Sequence, residues 1–146
     1  MSSSLDANIL IYASDESSPQ HRQARDFLGK CVEGADLLCL TWPTLMAYQR
    51  ISTHPRIFQN PLSPAEAWNN VRKLIARPRV RLIGEQPGFA ERYEEVAAAF
   101  PVRGNLVPDA HLATILLQHG VRVIYSADAD FRKFDFLKVV NPFAGK

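Results

Sequence analysis

What this 146-residue sequence lacks excludes several common chemistries. Its two cysteines, Cys31 and Cys39, are too few for a disulfide scaffold and lack metal-site spacing, so a reducing compartment is expected. The four histidines show no H-x-x-x-H pairing, which disfavours a zinc enzyme of that kind. No G-x-S-x-G, Walker or G-x-G-x-x-G motif is present, so a serine-hydrolase elbow and a glycine-rich phosphate loop are not expected either.

Long hydrophobic runs are missing as well. No apolar stretch approaches the roughly 18 to 20 residues that a membrane-spanning helix needs. The first six residues have no basic segment followed by an apolar one, so no secretory signal is visible. Because 47% of the residues are hydrophobic and 22% are charged, the composition is that of a globular chain. We therefore expect one domain, residues 1–146, in the cytoplasm and without a membrane partner.

Net charge is small, at +2, but it is unevenly distributed along the chain. Residues 1–49 carry −3, residues 50–84 carry +6, and residues 85–146 carry −1. A basic middle with slightly acidic ends suits a polyanion that approaches one face of the protein. The alternative is a solvated helix followed by a strand whose arginines point outward.

Short apolar runs alternate with amphipathic helices along the sequence. The run Leu5–Ala13 is ambiguous, since it fits either a strand or a short strand ending near Asp6 with a helical turn from Asn8. Ser63 and Glu66 predict a capping box at a helix start, and the apolar stripe of that helix is assigned to Trp68, Val71, Leu74 and Ile75. Further helices are predicted over 19–31, 42–53, 89–100 and 108–119, and strands over 37–40, 80–83, 121–125 and 137–140. This alternation predicts an α/β fold with parallel β-α-β crossovers and a sheet covered on both faces.

Four aspartates stand where such a fold binds ligands. Asp6 ends the first candidate strand, Asp128 and Asp130 follow the strand over 121–125, and Asp109 lies in the first turn of a helix. Open α/β sheets bind ligands outside the carboxyl ends of their strands, so these carboxylates can converge at one edge. Clustered negative charges need a cation to offset their repulsion. Carboxylates that hold Mg²⁺ or Mn²⁺ are the groups that enzymes use to hydrolyse phosphodiester bonds. Singly, each aspartate is also explained as a helix cap, a first-turn acid or a turn residue.

Five blocks in a fixed order give the chain a family resemblance that runs from about Leu5 to Phe143. The chain resembles PIN-domain proteins, and specifically VapC-type toxins of type II toxin–antitoxin pairs. The blocks are Leu5–Ala13, His21–Leu28, Arg50–Phe58 followed by Pro61-Leu62, Leu106–Ala113 and Tyr125–Phe131.

The resemblance implies a PIN-like three-layer α/β/α domain with a central, mainly parallel sheet. It also implies a Mg²⁺- or Mn²⁺-dependent endoribonuclease that inhibits translation and leaves 5′-phosphate and 3′-hydroxyl ends. Metal binding is carried over to Asp6, Asp109 and Asp128, and the catalytic set adds Asp130. The positions that the resemblance suggests for substrate binding are Asn8, Arg50 and Ser126.

Partners follow from the same resemblance. A VapB-like antitoxin is expected to fold its C-terminal segment across the site, and the toxin is expected to form a homodimer. Operator DNA is expected to be bound only through the antitoxin, because this chain has no helix-turn-helix signature of its own.

One departure from the family pattern motivates an alternative function. Most members carry a glutamate a few residues before the position of Arg50, whereas residues 44–49 contain no acid. The alternative is a degenerate PIN domain that binds RNA or a protein without cutting. An aspartyl-phosphate protein is disfavoured. A receiver needs a lysine that follows a late strand near the acids, and a haloacid-type phosphatase needs Asp-x-Asp at the first strand, where Asn8 takes the place of the second acid.

Overall fold

A five-stranded parallel sheet forms the centre of the computed structural model, which describes residues 1–144. The strands lie in the order β3-β2-β1-β4-β5, and every neighbouring pair is parallel. They are β1 (Ser2–Leu5), β2 (Leu37–Thr41), β3 (Val80–Ile83), β4 (Val123–Tyr125) and β5 (Lys138–Val140). The prediction of an α/β fold with a parallel sheet is therefore confirmed.

Helices cover both faces of this sheet. They are α1 (Ala7–Ser14), α2 (His21–Glu33), α3 (Trp42–Ser52), α4 (Pro64–Ile75), α5 (Phe89–Ala98) and α6 (Leu106–Gln118). Successive residues of a strand point to opposite faces, and the strand β2 shows this division clearly. Leu38 and Leu40 pack in one apolar cluster with residues of α1, α3 and α4, whereas Cys39 packs in a second cluster with residues of α5 and α6. The result is three layers.

Local sequence signals set several helix starts. The hydroxyl of Ser63 accepts a hydrogen bond from the amide of Glu66, and the Glu66 carboxylate accepts one from the amide of Ser63, both at 3.1 Å. This confirms the predicted capping box. The start of α3 is capped in a similar way by Thr41, whose hydroxyl accepts from the amide of Thr44.

The ambiguous run Leu5–Ala13 folds as the end of a strand followed by a helix. β1 ends at Leu5 and α1 begins at Ala7, so Asp6 stands alone between them. Its backbone is extended and its side chain caps the helix. The short strand followed by a helical turn, one of the two alternatives, is the one that forms.

Some predicted boundaries and one predicted face differ from the structure. α6 begins at Leu106, two residues early, because Pro108 lies in the first turn, where amides have no intrahelical partner. β4 begins at Val123, since the amide of Val121 still bonds to a carbonyl of α6. Trp68, assigned to the apolar stripe of α4, is instead 39% exposed, and Ala67 occupies the buried position beside it. A 3₁₀ helix over Ala129–Lys133 had no counterpart in the prediction.

Within the described residues, no helix is both long and apolar enough to cross a membrane.

Candidate active site

Two neighbouring strands end side by side at one edge of the sheet. β1 leads into Asp6 and β4 leads into Ser126, and the amide of Asp6 donates to the carbonyl of Tyr125 at 2.9 Å. This parallel pairing joins the first residues of the chain to a segment 120 positions later. The carboxyl edge of the sheet therefore begins with an aspartate beside a serine.

The carboxylate of Asp6 is fixed by three donors. One oxygen, Oδ1, accepts from the amide of Ala7 at 2.7 Å and caps α1. The other, Oδ2, accepts from the hydroxyl of Ser126 at 2.8 Å and from the side-chain amide of Asn8 at 3.1 Å. Burial raises the pKa of Asp6, and the hydrogen bonds from Ser126 and Ala7 oppose that rise. Asp6 is thus both a helix cap and a member of the acidic edge.

Ser126 connects Asp6 to the segment that carries the next acids. The side chain is buried, and its oxygen also accepts a hydrogen bond from the amide of Asp128 at 2.9 Å. Asn8 reinforces the connection, because its carbonyl oxygen accepts from the amide of Ala127 at 3.5 Å. The structure therefore gives Asn8 and Ser126 contacts with the acidic residues, while their binding of substrate stays a prediction.

Three of the four predicted carboxylates come together. Ligand oxygens of Asp109, Asp128 and Asp130 all lie within 4.8 Å of one another, and we call these three residues the acidic cluster. Asp109 projects from the first turn of α6, and Asp128 caps the 3₁₀ helix by accepting from the amide of Asp130 at 2.9 Å. Asp6 does not lie within 4.8 Å of all three residues, but it is near Asp109, because its charge raises the pKa of Asp109 more than the charge of Asp128 or Asp130 does.

The acidic cluster is not neutralised by the protein. In residues 1–144 no lysine, arginine or histidine nitrogen lies within 4.0 Å of a carboxylate oxygen of Asp6 or of the cluster. Burial raises the pKa of Asp109 to about 7, and repulsion from Asp6, Asp128 and Asp130 adds to the rise. A half-buried group of like charges therefore stands without a cation.

The donor set fits a hard divalent cation. All donors are carboxylate oxygens, which Mg²⁺ and Mn²⁺ prefer over nitrogen or sulfur ligands. Because one carboxylate oxygen from each of the three residues lies within 4.8 Å of the other two, Asp109, Asp128 and Asp130 would be able to hold one such ion.

Arg50 is not part of this group. It lies exposed in the last turn of α3, and no carboxylate lies within 4.0 Å of it among the residues described. Residues 44–49 form the middle of the same helix and contribute no acid to the cluster. The carboxylates come instead from the ends of β1 and β4 and from α6.

Sequence reasoning missed a pair beside the acidic cluster. Nε2 of His111 lies 2.6 Å from a carboxylate oxygen of Glu85, and the hydrogen bond lowers the pKa of Glu85. Phe89 packs edge-on against the His111 ring. Glu85 follows the carboxyl end of β3, so the strand-end rule that selected the aspartates could also have selected this acid.

Comparisons with known proteins give the fold and the site a context. The PIN domain family model matches residues 4–137. Ribonuclease VapC48 of Mycobacterium tuberculosis is 40% identical over 145 residues, which is 99% of this chain and 100% of the relative.

Solved structures agree on the fold. The crystal structure of VapBC2 from Rickettsia felis, bound to a DNA fragment from their promoter, superposes with a TM-score of 0.70 at 14% identity and covers 97% of this chain and 98% of that one. Mycobacterium tuberculosis VapC20, a sarcin-ricin loop cleaving toxin, gives a TM-score of 0.65 at 15% identity, with 89% and 92% covered. The fold is thus that of a known architecture, and the chain belongs to the VapC group of the PIN-domain family.

Proposed function

We propose that this protein is a metal-dependent endoribonuclease toxin, which cleaves RNA phosphodiester bonds and inhibits translation until a cognate antitoxin neutralises it. The observation that carries the proposal is the uncompensated acidic cluster at the carboxyl edge of the sheet. Identity of 40% over the whole chain to a ribonuclease of the same family supports it. The RNA substrate implies that the protein acts in the cytoplasm.

Each acid has a distinct place in the proposed reaction. Asp109 and Asp128, which are half-buried, and the exposed Asp130 would hold Mg²⁺ or Mn²⁺. When bound, such a cation lowers the pKa of a coordinated water and offsets the charge of the attacked phosphate. Asp6 would complete the site through Ser126, whose hydroxyl is bonded to the Asp6 carboxylate and to the Asp128 amide.

Asp130 is suited to orient the attacking water. It is exposed, and its carboxylate takes part in no hydrogen bond within residues 1–144, whereas Asp6 already accepts three. A carboxylate oxygen without other hydrogen bonds accepts the proton of the water while the oxygen of the water forms a bond to phosphorus. The bond from phosphorus to the 3′ oxygen then breaks, which leaves a 3′-hydroxyl and a 5′-phosphate.

RNA cleavage with and without a chelator tests this proposal. Wild-type protein with Mn²⁺ should cut a labelled RNA, and chelator, Asp6→Asn and Asp109→Asn should each remove the activity. Cleavage that survives both the chelator and the two substitutions would contradict the mechanism.

The absence of an acid in residues 44–49 favours one rival, a non-cleaving PIN domain. That rival predicts weak or no Mn²⁺ binding by calorimetry and no cleavage by the wild type.

We propose that the antitoxin uses a groove on the α1–α4 side of the molecule. A cavity of about 530 Å³ lies there, and none of the four aspartates lines it. Its lining includes Leu10, Leu28, Val32, Leu45, Val71 and Leu74. An apolar helix or extended peptide fits such a surface. Leu10 of α1 lines the groove four residues after Asp6, so an antitoxin segment must extend about 6 Å along α1 beyond the groove to reach Asp6.

A substitution in the groove tests the antitoxin site. The antitoxin is sought in a short open reading frame beside the gene, and its complex is measured by calorimetry. Leu28→Glu should weaken the complex strongly, whereas Leu82→Glu, on β3 and outside the groove, should not. Equal affinities would place the antitoxin elsewhere.

Light scattering on the same samples tests the proposed homodimer. Operator binding with and without the antitoxin tests the proposal that the toxin binds DNA only through the antitoxin.

A further inference from the structure

The two tryptophans of the chain lie against each other on the surface. Trp42 begins α3 and Trp68 lies in α4, and their ring centroids are 6.2 Å apart with planes only 16° from parallel. Trp42 is 42% exposed and Trp68 is 39% exposed. Two large apolar rings with this exposure are not explained by the core, to which neither belongs.

The tryptophan pair lies near the acidic edge. Ser4 of β1 is opposite Cys39 of β2, so the same register places Thr41 beside Asp6, in strands about 4.8 Å apart. Trp42 is the next residue after Thr41 and lies at the same carboxyl edge of the sheet. The backbone of Trp42 therefore lies at the same edge of the sheet as Asp6, one strand away from it.

Unpaired cations flank the tryptophans. Arg50 is two helical turns beyond Trp42 on the same side of α3, and Arg72 is one turn beyond Trp68 on α4. Both are exposed, and within the described part of the chain no carboxylate lies within 4.0 Å of either one. Phosphate groups are the partners that exposed, unpaired arginines suit best.

We propose that Trp42 and Trp68 form a stacking platform for unpaired bases of the RNA substrate, next to the site of cleavage. Single-stranded RNA is recognised by aromatic side chains on which its bases stack, with cations along its backbone. The proposal rests on the RNA-cleaving function and adds a substrate contact to it. It also specifies the substrate class, which is RNA that is single-stranded near the cut.

A second copy of this chain fits the same surface less well. In a two-fold dimer the same patch meets itself, so the patch that carries Arg50 and Arg72 would be brought against the same positively charged patch of the other copy. Repulsion between those cations would oppose the contact, because neither arginine has an acid beside it. RNA supplies both the flat bases and the negative charge that this surface lacks.

Intrinsic fluorescence gives a direct test, since the chain has no other tryptophan. The full chain is titrated in chelator, which prevents cleavage, with decauridylate RNA and with an abasic ribose-phosphate chain of the same length. Stacking should quench the emission with decauridylate and leave it nearly unchanged with the abasic chain. Trp42→Ala and Trp68→Ala should each weaken decauridylate binding about 5- to 100-fold, and Trp68→Phe should retain most of it.

Control variants distinguish base stacking on the tryptophans from a general loss of apolar surface or of folding. Ile57→Ala removes an equally exposed apolar side chain from a different segment and should leave RNA affinity unchanged. Circular dichroism verifies that each variant is folded. Because Trp42 is next to a helix cap, its replacement can also disturb α3, so the Trp68 variants test the platform without that effect. Light scattering gives the oligomeric state of every sample.

Two results would overturn the platform. One is unchanged affinity and unquenched emission; the other is a dimer that dissociates when either tryptophan is replaced, which would assign the pair to an interface between copies. Cleavage of a labelled RNA with Mn²⁺ is measured separately. A wild type that cuts RNA without using the tryptophans refutes only the platform, whereas a wild type that does not cut refutes the proposed ribonuclease.

Discussion

The acidic cluster and the basic surface formed by residues 50–81 both hold charge of one sign, but they hold it in opposite ways. The three aspartates of the cluster are packed within 4.8 Å and two of them are half-buried. The seven cations of the basic surface are all exposed and are spread over α3, α4, β3 and the two loops that connect these elements. In residues 1–144 no member of either region has an ion-pair partner.

The difference shows which kind of binding partner suits each region. Crowded, half-buried carboxylates repel each other and resist ionisation, as the raised pKa of Asp109 shows, so a small cation is required to stabilise their charged form. Exposed cations that are spread over a surface reduce the stability of the fold very little, and they attract a long polyanion through many weak contacts. The overall charge of +2 averages over these two arrangements.

Loss of a cluster carboxylate should have the largest effect. Asp109→Asn should lower the RNA cleavage rate more than about 100-fold, beyond the cost of losing an outer-shell partner of a metal site. Asp135→Asn, an exposed acid outside the cluster, is the matched control and should cleave normally. The proposed role of the acidic edge would be wrong if both variants cut RNA at the same rate.

Loss of the buried hydroxyl beside the cluster should have the next largest effect. Ser126→Ala removes one donor to Asp6 and the acceptor of the Asp128 amide, so Mn²⁺ affinity by calorimetry and the cleavage rate should fall about 10- to 100-fold. Ser4→Ala is a control of the same size and burial, because its hydroxyl has no hydrogen-bond partner among the described residues. Equal losses in the two variants would show a general packing effect instead.

The contribution of the basic surface should appear in the salt dependence of RNA affinity. Replacing Arg79 and Arg81 with alanine should reduce the slope of log affinity against log salt concentration by about 1.4 for single-stranded RNA, as two phosphate contacts are lost. Filter binding at several salt concentrations measures the slope. Arg92→Ala serves as the reference, since Arg92 already pairs with Glu95 on α5, and an unchanged slope in the double variant would refute the RNA contact.

The smallest effect should be on stability, and its sign is opposite to that on activity. Asp109 keeps its proton up to about pH 7 in the folded protein, whereas its ordinary value is 3.8. The metal-free protein therefore loses stability as pH rises from about 4 to 7, and the full cost remains above that. Asp109→Asn should stabilise the metal-free protein at pH 8 by about 1–2 kcal/mol, because solvent screens part of the repulsion.

Thermal unfolding in chelator at two pH values measures this effect. The variant should unfold about 3–6 °C above the wild type at pH 8 and close to it at pH 4. A variant that is less stable at both values would show that Asp109 contributes to packing more than to repulsion.

Features that depend on neighbouring residues or on strand order could be predicted from the sequence. The capping box of Ser63 and Glu66 is local, and its prediction is confirmed. The placement of Asp6 and Asp128 at one edge follows from topology, because residues that come directly after neighbouring parallel strands meet at the same edge of the sheet. Neither feature requires knowledge of how side chains pack.

Features that depend on packing between helices could not be predicted. The pattern of α4 assigned Trp68 to a buried face, but the ring turns outward and lies against Trp42, on a helix that starts 26 residues earlier. Hydrophobic periodicity cannot distinguish a side chain in the core from one at the rim of the same face. The hydrogen bond from the Ser126 hydroxyl to the Asp6 carboxylate likewise depends on the direction of a side chain, which no spacing rule specifies.

The bond between Asp6 and Ser126 also has a consequence for synthesis of the protein. Chains emerge from the ribosome with the N-terminal end first, so Asp6 is exposed long before Ser126, Asp128 and Asp130 have been added. β1 obtains its β4 neighbour only when nearly the whole chain has been translated. A nascent chain therefore lacks the complete acidic edge until β4 and the segment that follows it have been translated.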